Sequence, residues 1–577
     1  MNSDRLLALY EKVAEGPDSI ARLRRFVLDL AVRGKLVAQD ASDEPASQLL
    51  KRIAAEKARL VRNGETRKHK ALPPIDGEET SFSLPVGWEW VRLGNLSQFV
   101  TSGSRDWAKF YANEGAIFVR MGNLSKDHYR LRLENIQRVA PPADGEGTRT
   151  RLEGGDILIS ITGDVGMLGL VPDGFGEAYI NQHTAMVRPV PEMKGRYLAE
   201  LFRSPFAQDQ FNAPQRGIKN SFRLTDITQF VVPLPPLAEQ MRIVAKVDEL
   251  MGLLDRLEAV RTAREATRDR LAVASLARLT APAAAPVDFR NHARFALASL
   301  PALTSRPDQI KTLRQTILNL AVRGKLVEQD PTDEPASELL KRIAVGLRDK
   351  GSGRGRNPKQ LAAVDPADAP FELPEGWTWA RFPELGKFGR GKSKHRPRND
   401  PVLYTDGTHL MIQTGDVARS GGKVTTYSNK YNDVGLAQSM LWPKGTLCIT
   451  IAANIADSGI LDFDACFPDS VVGFVPAPAF ESARYFEYFV RTAKANLLEF
   501  APATAQKNIN LEILTSVLIP LPPLAEQHRI VAKVDALMAL CDKLEAALAN
   551  RESNRAHLLE ALLHEALMPV GEQEAAA

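Results

Sequence analysis

The sequence predicts an α+β protein with a pseudo-two-fold internal repeat: two mixed α/β domains separated by two long antiparallel coiled-coil helices. Three repeated units predict it. Pro233-Leu-Pro-Pro-Leu-Ala-Glu-Gln240 returns as Pro520-Leu-Pro-Pro-Leu-Ala-Glu-Gln527, each opening a long apolar-periodic run. Leu30-Ala-Val-Arg-Gly-Lys-Leu-Val37 returns at Leu320 to Val327, and Asp43-Glu-Pro-Ala-Ser47 at Asp333 to Ser337. Leu84-Pro-Val-Gly-Trp-Glu-Trp90 returns as Leu373-Pro-Glu-Gly-Trp-Thr-Trp379. The offsets, 290 for Leu30, 289 for Leu84 and 287 for Pro233, agree closely enough that one duplication accounts for all three. Repetition at so long a period means a duplicated domain pair and not a solenoid of small units.

Residues 1–81 are expected to be helical. Ile20, Leu23, Val27 and Leu30 mark an apolar stripe that stops at Arg33-Gly34, where glycine can take the left-handed position. Asp43-Glu-Pro-Ala-Ser starts a second helix through Leu49, Leu50 and Ile53, ending near Asn63-Gly64. The first mixed domain is expected over 82–232. It is followed by a long helix over 233–282 and by a linker and repeated helical segment over 283–370. The second mixed domain is expected over 371–519 and the second long helix over 520–577. Both mixed domains carry short β-rich runs, such as Asp156-Ile-Leu-Ile-Ser-Ile161 and Thr446-Leu-Cys-Ile-Thr-Ile451, and an aromatic helical tail. Here the two copies diverge, so the chain writes its helical frame twice and varies what the frame holds.

Prolines can precede a helix or sit in its first turn, but not within it. Beyond the second proline cluster, Ile530, Val534, Leu537, Cys541, Leu544 and Leu548 alternate steps of four and three, continuing to Leu558 and Leu562. That is a coiled-coil seam. The first copy keeps the spacing through Ile243, Val247, Leu250, Leu254 and Leu257, then puts Arg261, Arg264 and Arg268 on the stripe. Its distal half should be less deeply buried. A helix of about 40 residues is a rod of roughly 60 Å.

The 577 residues, 44% hydrophobic and 25% charged, leave room for several cores. No apolar run is long enough to span a bilayer and Met1-Asn-Ser-Asp-Arg lacks a signal-peptide core, so a cytoplasmic location is expected. Cys448, Cys466 and Cys541 offer neither a disulfide framework nor metal-ligand spacing. A formal charge of +4 is mild, so a nucleic-acid surface must come from where the basic residues lie.

These repeats resemble the specificity subunit of type I restriction-modification systems. The likeness covers essentially the whole chain: two Leu-Pro-x-Gly-Trp stretches, two variable inserts that look like target recognition domains, and two Pro-Leu-Pro-Pro-Leu-x-Glu-Gln exits into long helices. The resemblance implies a DNA-binding subunit without chemistry of its own. Each target recognition domain would read half of an interrupted double-stranded target, and the helices would fix the gap. Two methyltransferase subunits would dock on the frame and methylate adenine N6 with S-adenosylmethionine, and restriction subunits would add ATP-driven cleavage. S-adenosylmethionine, ATP and Mg2+ are thus expected on the partners and no cofactor or metal in this chain, with no membrane involved.

DNA-contacting residues follow from side-chain chemistry alone. Gln and Asn can pair with adenine, Arg and Lys with guanine, and the same cations with phosphates. The polar segments ahead of each exit nominate Arg216, Lys219, Asn220 and Arg223, and Gln506, Lys507 and Asn508. The basic run Lys392-Ser-Lys-His-Arg-Pro-Arg398 adds Lys392, Lys394 and Arg396, with Arg105 and Lys109 near the equivalent place in the first insert. Asn181-Gln-His183 lies after the first β run and could reach a base edge, but an internal turn is the better reading. No catalytic residues are nominated. Gly386-Lys-Phe-Gly-Arg-Gly-Lys-Ser393 matches a Walker A pattern, but Lys394-His-Arg-Pro-Arg-Asn-Asp-Pro401 precludes the helix that motif needs. Pro172-Asp173 with Glu192-Met-Lys194 fits a nuclease carboxylate pattern only loosely.

Overall fold

The predicted stripe of the N-terminal segment becomes helix Ser19–Val32, which buries Ile20, Leu23, Val27 and Leu30. It ends at Arg33, and Gly34 follows at φ +67°. Glycine is required there, because a Cβ would collide with Pro85 and meet the Trp88 ring. Helix Ala46–Arg62 follows Pro45 and stops at Asn63. The structure, a computed structural model, describes residues 8, 18–64, 71–141, 147–213, 222–280, 286–350, 369–452, 456–499 and 511–567. The chain divides into two compact units, Met1–Ala263 with Glu552–Ala577, and Arg264–Arg551.

In the first unit the chain enters the mixed domain through strand Glu89–Arg92 and leaves through Val231–Leu234. These pair antiparallel, Glu89 opposite Leu234 and Arg92 opposite Val231. Between them lies an antiparallel sheet in the order Ser97–Ser102, Thr184–Pro189, Ile157–Ser160, Leu168–Leu170. A second sheet runs Tyr111–Ala112, Gln137–Val139, Ala116–Val119, Ala178–Ile180, its last pair parallel. The first sheet is covered on both faces, which explains its unbroken apolar runs. Ile157, Ile159, Ala185 and Val187 join the core that holds Leu198, Phe202 and the frame helices, while Leu158 and Met186 pack with Val119 and Ile180.

The second unit repeats the plan. Helices Pro307–Val322 and Ala336–Lys350 precede strand Thr378–Ala380, which pairs with Ile519–Leu521. The main sheet has five strands, in the order Gly386–Arg390, Val471–Pro476, Leu447–Thr450, Ser458–Leu461, Lys423–Val424. Its neighbour has the order Asn429–Tyr431, His409–Met411, Ala465–Cys466, Leu441–Trp442. Helix Pro286–Leu303 also lies in this unit, within the span 283–370 expected as linker and repeated helical segment.

The long helices are Leu237–Thr280 and Leu524–Leu567. Ile243, Val247, Leu250 and Leu254 are buried, and Arg261, Arg264 and Arg268 beyond them are less so, as their charge requires. Leu559, near the end of the second helix, belongs to the same core as Ile243 and Leu254 near the start of the first. In the second unit Glu265 and Asp269 of the first helix hold Arg306 at 2.7 and 3.0 Å. In the first unit the beginning of the first long helix thus shares a core with the end of the second, and in the second unit the far half of the first is tied through Arg306 to the start of helix Pro307–Val322.

Beyond Leu548 the predicted seam slips by one residue, at Leu558 and again at Leu562, whose place Leu563 takes. Leu558 is 47% exposed, and Leu559, 1% exposed, takes its place. From Leu548 to Leu559 is eleven residues, close to three whole turns, whereas ten leave a side chain about 80° off the stripe at 3.6 residues per turn.

The repeated motifs are repeated contacts. Trp88 Nε1 donates to Glu239 at 2.9 Å and Gln39 Nε2 to the other oxygen at 2.8 Å. In the second unit Trp377 and Gln329 donate to Glu526 at 2.9 and 3.3 Å. Arg242 pairs with Asp43 and Arg529 with Asp333. Gln240 and Gln527 donate to the backbone carbonyls of Pro235 and Pro522. Tyr197 and Tyr485 donate to the carbonyls of Pro233 and Pro520.

Candidate DNA interface

Strand register decides which loops share an end of each sheet. In the first unit Ser102 lies opposite Ala185, Ser160 opposite Thr184 and Ile159 opposite Leu168. The loops after Ser102, before Thr184 and between Ser160 and Leu168 therefore emerge together. The opposite end is tied toward the frame: Val190 N donates to Leu96 O at 3.0 Å, and Leu93 N to Phe230 O at 2.8 Å. In the second unit Arg390 faces Val472, Thr450 faces Val471 and Ile449 faces Ser458, so those loops also share the free end. Its opposite end is tied in the same way, by Ala477 N to Leu385 O at 2.9 Å.

The nominated residues that the structure describes lie largely along these free ends. Arg105 follows Ser102 and is exposed. Lys109 is exposed in the turn Trp107–Phe110, its ammonium 4.9 Å from the Phe110 ring centre. Arg223 is exposed, and its backbone N–H donates to Asp226 at 2.8 Å, opening helix Leu224–Gln229. Just before it, Phe222 N donates to Ile161 O at 2.9 Å, which brings this segment to the free end of the sheet. Arg216, Lys219, Asn220, Gln506, Lys507 and Asn508 lie outside the described residues.

In the second unit Lys392, Lys394 and Arg396 are exposed on the loop that follows Gly386–Arg390. Backbone bonds shape that loop: Lys392 N donates to Phe467 O at 3.1 Å, and Lys394 N and His395 N to Gln438 Oε1 at 2.7 and 3.1 Å. Arg396 turns its guanidinium onto the carbonyls of Ser393 and His395 at 2.7 and 2.8 Å. Arg398 instead reaches across to Asp469 at 2.6 Å. The His395 ring lies 2.8 Å from Asp400 and is the main cause that holds its carboxyl below the usual range. Exposed cations of this kind can neutralise phosphates and, where a guanidinium fork is held, pair with guanine.

Gly386–Arg390, the start of the Walker-like stretch, is a strand paired to Val471–Pro476, and no helix of the strand–loop–helix arrangement follows it. Asn181 makes the expected internal turn, its Oδ1 accepting from His183 N and Thr184 Oγ1 at 3.3 and 3.1 Å. The position of that turn at the free end was not legible from sequence; only the pairing of Thr184 with Ser160 reveals it. All three cysteines are buried, and burial pushes each thiol up. Among the described residues no three His, Cys, Asp or Glu side chains are grouped to hold a metal ion.

Comparison with known proteins accords with this layout. The type I restriction modification DNA specificity domain matches twice, over residues 85–264 and 374–551. The type I restriction enzyme EcoAI and EcoEI specificity subunits of Escherichia coli are each 30% identical, over 95% of this chain and 94% of theirs. A chain solved in work on complex assembly and conformational transition of the type I R-M system has a TM-score of 0.50, covering 84% of this chain and 98% of its own. At 19% identity it speaks to the fold alone. With its frame contacts written twice and its likeness extending over nearly the full length of those relatives, the chain belongs to the specificity subunits of type I restriction enzymes, the non-catalytic DNA-recognition members of such systems.

Proposed function

We propose that this chain reads a bipartite double-stranded DNA target, one half with each target recognition domain, 82–232 and 371–519. The paired helices, 233–282 and 520–577, set the distance between the halves. The remaining segments, 1–81 and 283–370, complete the frame on which two methyltransferase subunits dock, and restriction subunits join that assembly. Adenine-N6 methylation with S-adenosylmethionine and ATP- and Mg2+-dependent cleavage then belong to the partners. Among the described residues no helix is long and apolar enough to cross a membrane, and we assign the chain to the cytoplasm, where its DNA is.

One observation carries this reading: the frame contacts are duplicated, while the loops at the free end of each sheet differ in sequence and bear cations. Dissimilar readers on a repeated frame suit dissimilar half-sites at a fixed spacing. Arg105, Lys109, Arg216, Lys219, Asn220 and Arg223 are assigned to the first half-site. Lys392, Lys394, Arg396, Gln506, Lys507 and Asn508 are assigned to the second.

Mapping methylated adenines across the genome with and without this gene tests the proposal. A two-part motif that vanishes on deletion is the expected result. Methylation or cutting of DNA by the purified chain alone, given Mg2+ and S-adenosylmethionine, would make it an enzyme and overturn the assignment.

A further inference from the structure

We propose that equivalent turns at the free ends of the two sheets each position a base-reading side chain. Gln182 reads an adenine in the half-site of the first domain, and Arg398, steadied by Asp469, reads a guanine in that of the second. The proposal deepens the split-target reading above and rests on it.

The equivalence of the turns is structural. In each sheet a glycine follows the first strand and presses on the backbone of the turn. A Cβ on Gly103 would strike Ile180 and Asn181, and one on Gly391 would strike Phe467 and Pro468. Asn181-Gln182-His183 feeds strand Thr184–Pro189, and Pro468-Asp469-Ser470 feeds Val471–Pro476. The same bond locks each turn to its sheet: Ile161 N donates to His183 O, and Ile451 N to Ser470 O, both at 3.0 Å. Gln182 and Asp469 therefore hold the same position.

What stands there differs in chemistry. Gln182 Nε2 lies 2.9 Å from His183 Nε2, and His183 Nδ1 lies 2.7 Å from Thr162 Oγ1. With the ring proton on Nδ1 donated to Thr162, Nε2 accepts from the Gln182 amide and fixes its orientation. The amide keeps its carbonyl oxygen and one N–H, for which no other hydrogen bond is made among the described residues. One acceptor beside one donor is the pattern that pairs with adenine N6–H and N7. Asp469 would repel DNA if left alone, but it holds the Arg398 guanidinium at 2.6 Å. The remaining guanidinium N–H groups make no other hydrogen bond among the described residues, and a fork so held matches guanine O6 and N7. A side chain ordered before DNA arrives loses less entropy on binding. Lys392 and Lys394, exposed without such a brace, suit phosphates, and the Arg396 fork is turned onto its own loop.

The test uses the full chain assembled with its methyltransferase subunits, acting on a library of randomised DNA targets, with methylated products sequenced. Gln182→Ala should relax one A·T position in one half of the motif by roughly 5- to 150-fold and leave the other half intact. Gln182→Glu, which only accepts hydrogen bonds, should move that position toward C·G. Arg398→Ala should relax a G·C position in the other half by a similar factor, and Asp469→Ala should relax the same position less. Arg398→Lys keeps the charge and guards against a variant that fails to assemble. It should retain the salt dependence of binding and lose part of the discrimination, since a lysine can still donate to guanine but lacks the fork. An unchanged motif in these variants would overturn the inference. So would a uniform loss across all sequences with a salt slope shallower by about one, the mark of a phosphate contact. A wild-type complex that yields no two-part motif would instead sink the underlying reading, so the two failures are distinguishable.

Discussion

Glu487 gives the structure a pH signature. It sits on helix Arg484–Glu499, fully buried, with Oε1 3.4 Å from Ser458 Oγ and 3.7 Å from Arg491 Nε. Among the described residues its Oε2 has no hydrogen-bond partner. In the first unit, where Tyr197 matches Tyr485, the same position is Ala199, and the neighbouring Glu200 accepts from Tyr129 at 2.8 Å and from Arg203 at 2.7 Å. Burial is the main cause that pushes the Glu487 carboxyl up from 4.5 to about 7, against the pull of Arg491 and Arg484. The folded protein therefore carries a proton between about pH 4.5 and 7 that the unfolded chain has released. Stability falls as pH rises through that window, and the cost is complete above it. A displacement of about 2.5 units at about 1.4 kcal/mol each comes to roughly 3 kcal/mol. For the unit Arg264–Arg551 that is roughly 5 °C in Tm. Hydrogen exchange followed on peptides of helix Arg484–Glu499 should show tighter protection at pH 5 than at pH 8, after correction for intrinsic exchange rates. Glu487→Gln, which cannot ionise, should flatten the difference. Equal pH dependence in the variant and the wild type would refute the reasoning.

Further outcomes follow from the frame and the loops. Glu239→Ala should strand the buried Trp88 N–H and cost about 1–3 kcal/mol in denaturant unfolding, whereas Glu239→Gln keeps an acceptor and should cost less; equal losses would exclude the hydrogen bond as the cause. Gly34→Ala should destabilise by at least about 1 kcal/mol, since φ there is +67° and Pro85 occupies the space, and a neutral result by urea titration would contradict the local geometry. Arg24→Ala removes only an exposed pairing with Asp255 and Glu258 and should shift stability by less than about 1 kcal/mol in the same titration. Joint replacement of Gln506, Lys507 and Asn508 by alanine should abolish selection of one half-site and leave assembly intact, as read by in vitro methylation of the native target.

The frame was legible because its signals are local or repeated. The stripe through Ile20 and Leu30, the glycine after Arg33 and the seam through Leu548 all follow from helical periodicity. The seam slipped only beyond Leu548, where the polar stretch Asn550 to Arg555 hides the phase and the adjacent pairs Leu558-Leu559 and Leu562-Leu563 leave the choice to a turn count. The tryptophans of the two Leu-Pro-x-Gly-Trp stretches stood out, but not their purpose, because Trp88 and Glu239 are 151 residues apart. The candidate interface was legible only as charge. That Arg398 is braced by Asp469, 71 residues on, and that Gln182 shares the free end with Arg105 are products of strand register, which no local pattern encodes.

The pairing of Glu89–Arg92 with Val231–Leu234, and of Thr378–Ala380 with Ile519–Leu521, has a consequence for how such a protein changes. Neighbouring strands lie about 4.8 Å apart. Whatever folds between them leaves and rejoins the scaffold at almost one point, like a bulb in its holder. A recombination event that cuts at those two ladders can transplant the whole mixed domain without altering the length or pitch of the long helix, provided the residues that pack on it, such as Leu198 and Phe202, are matched.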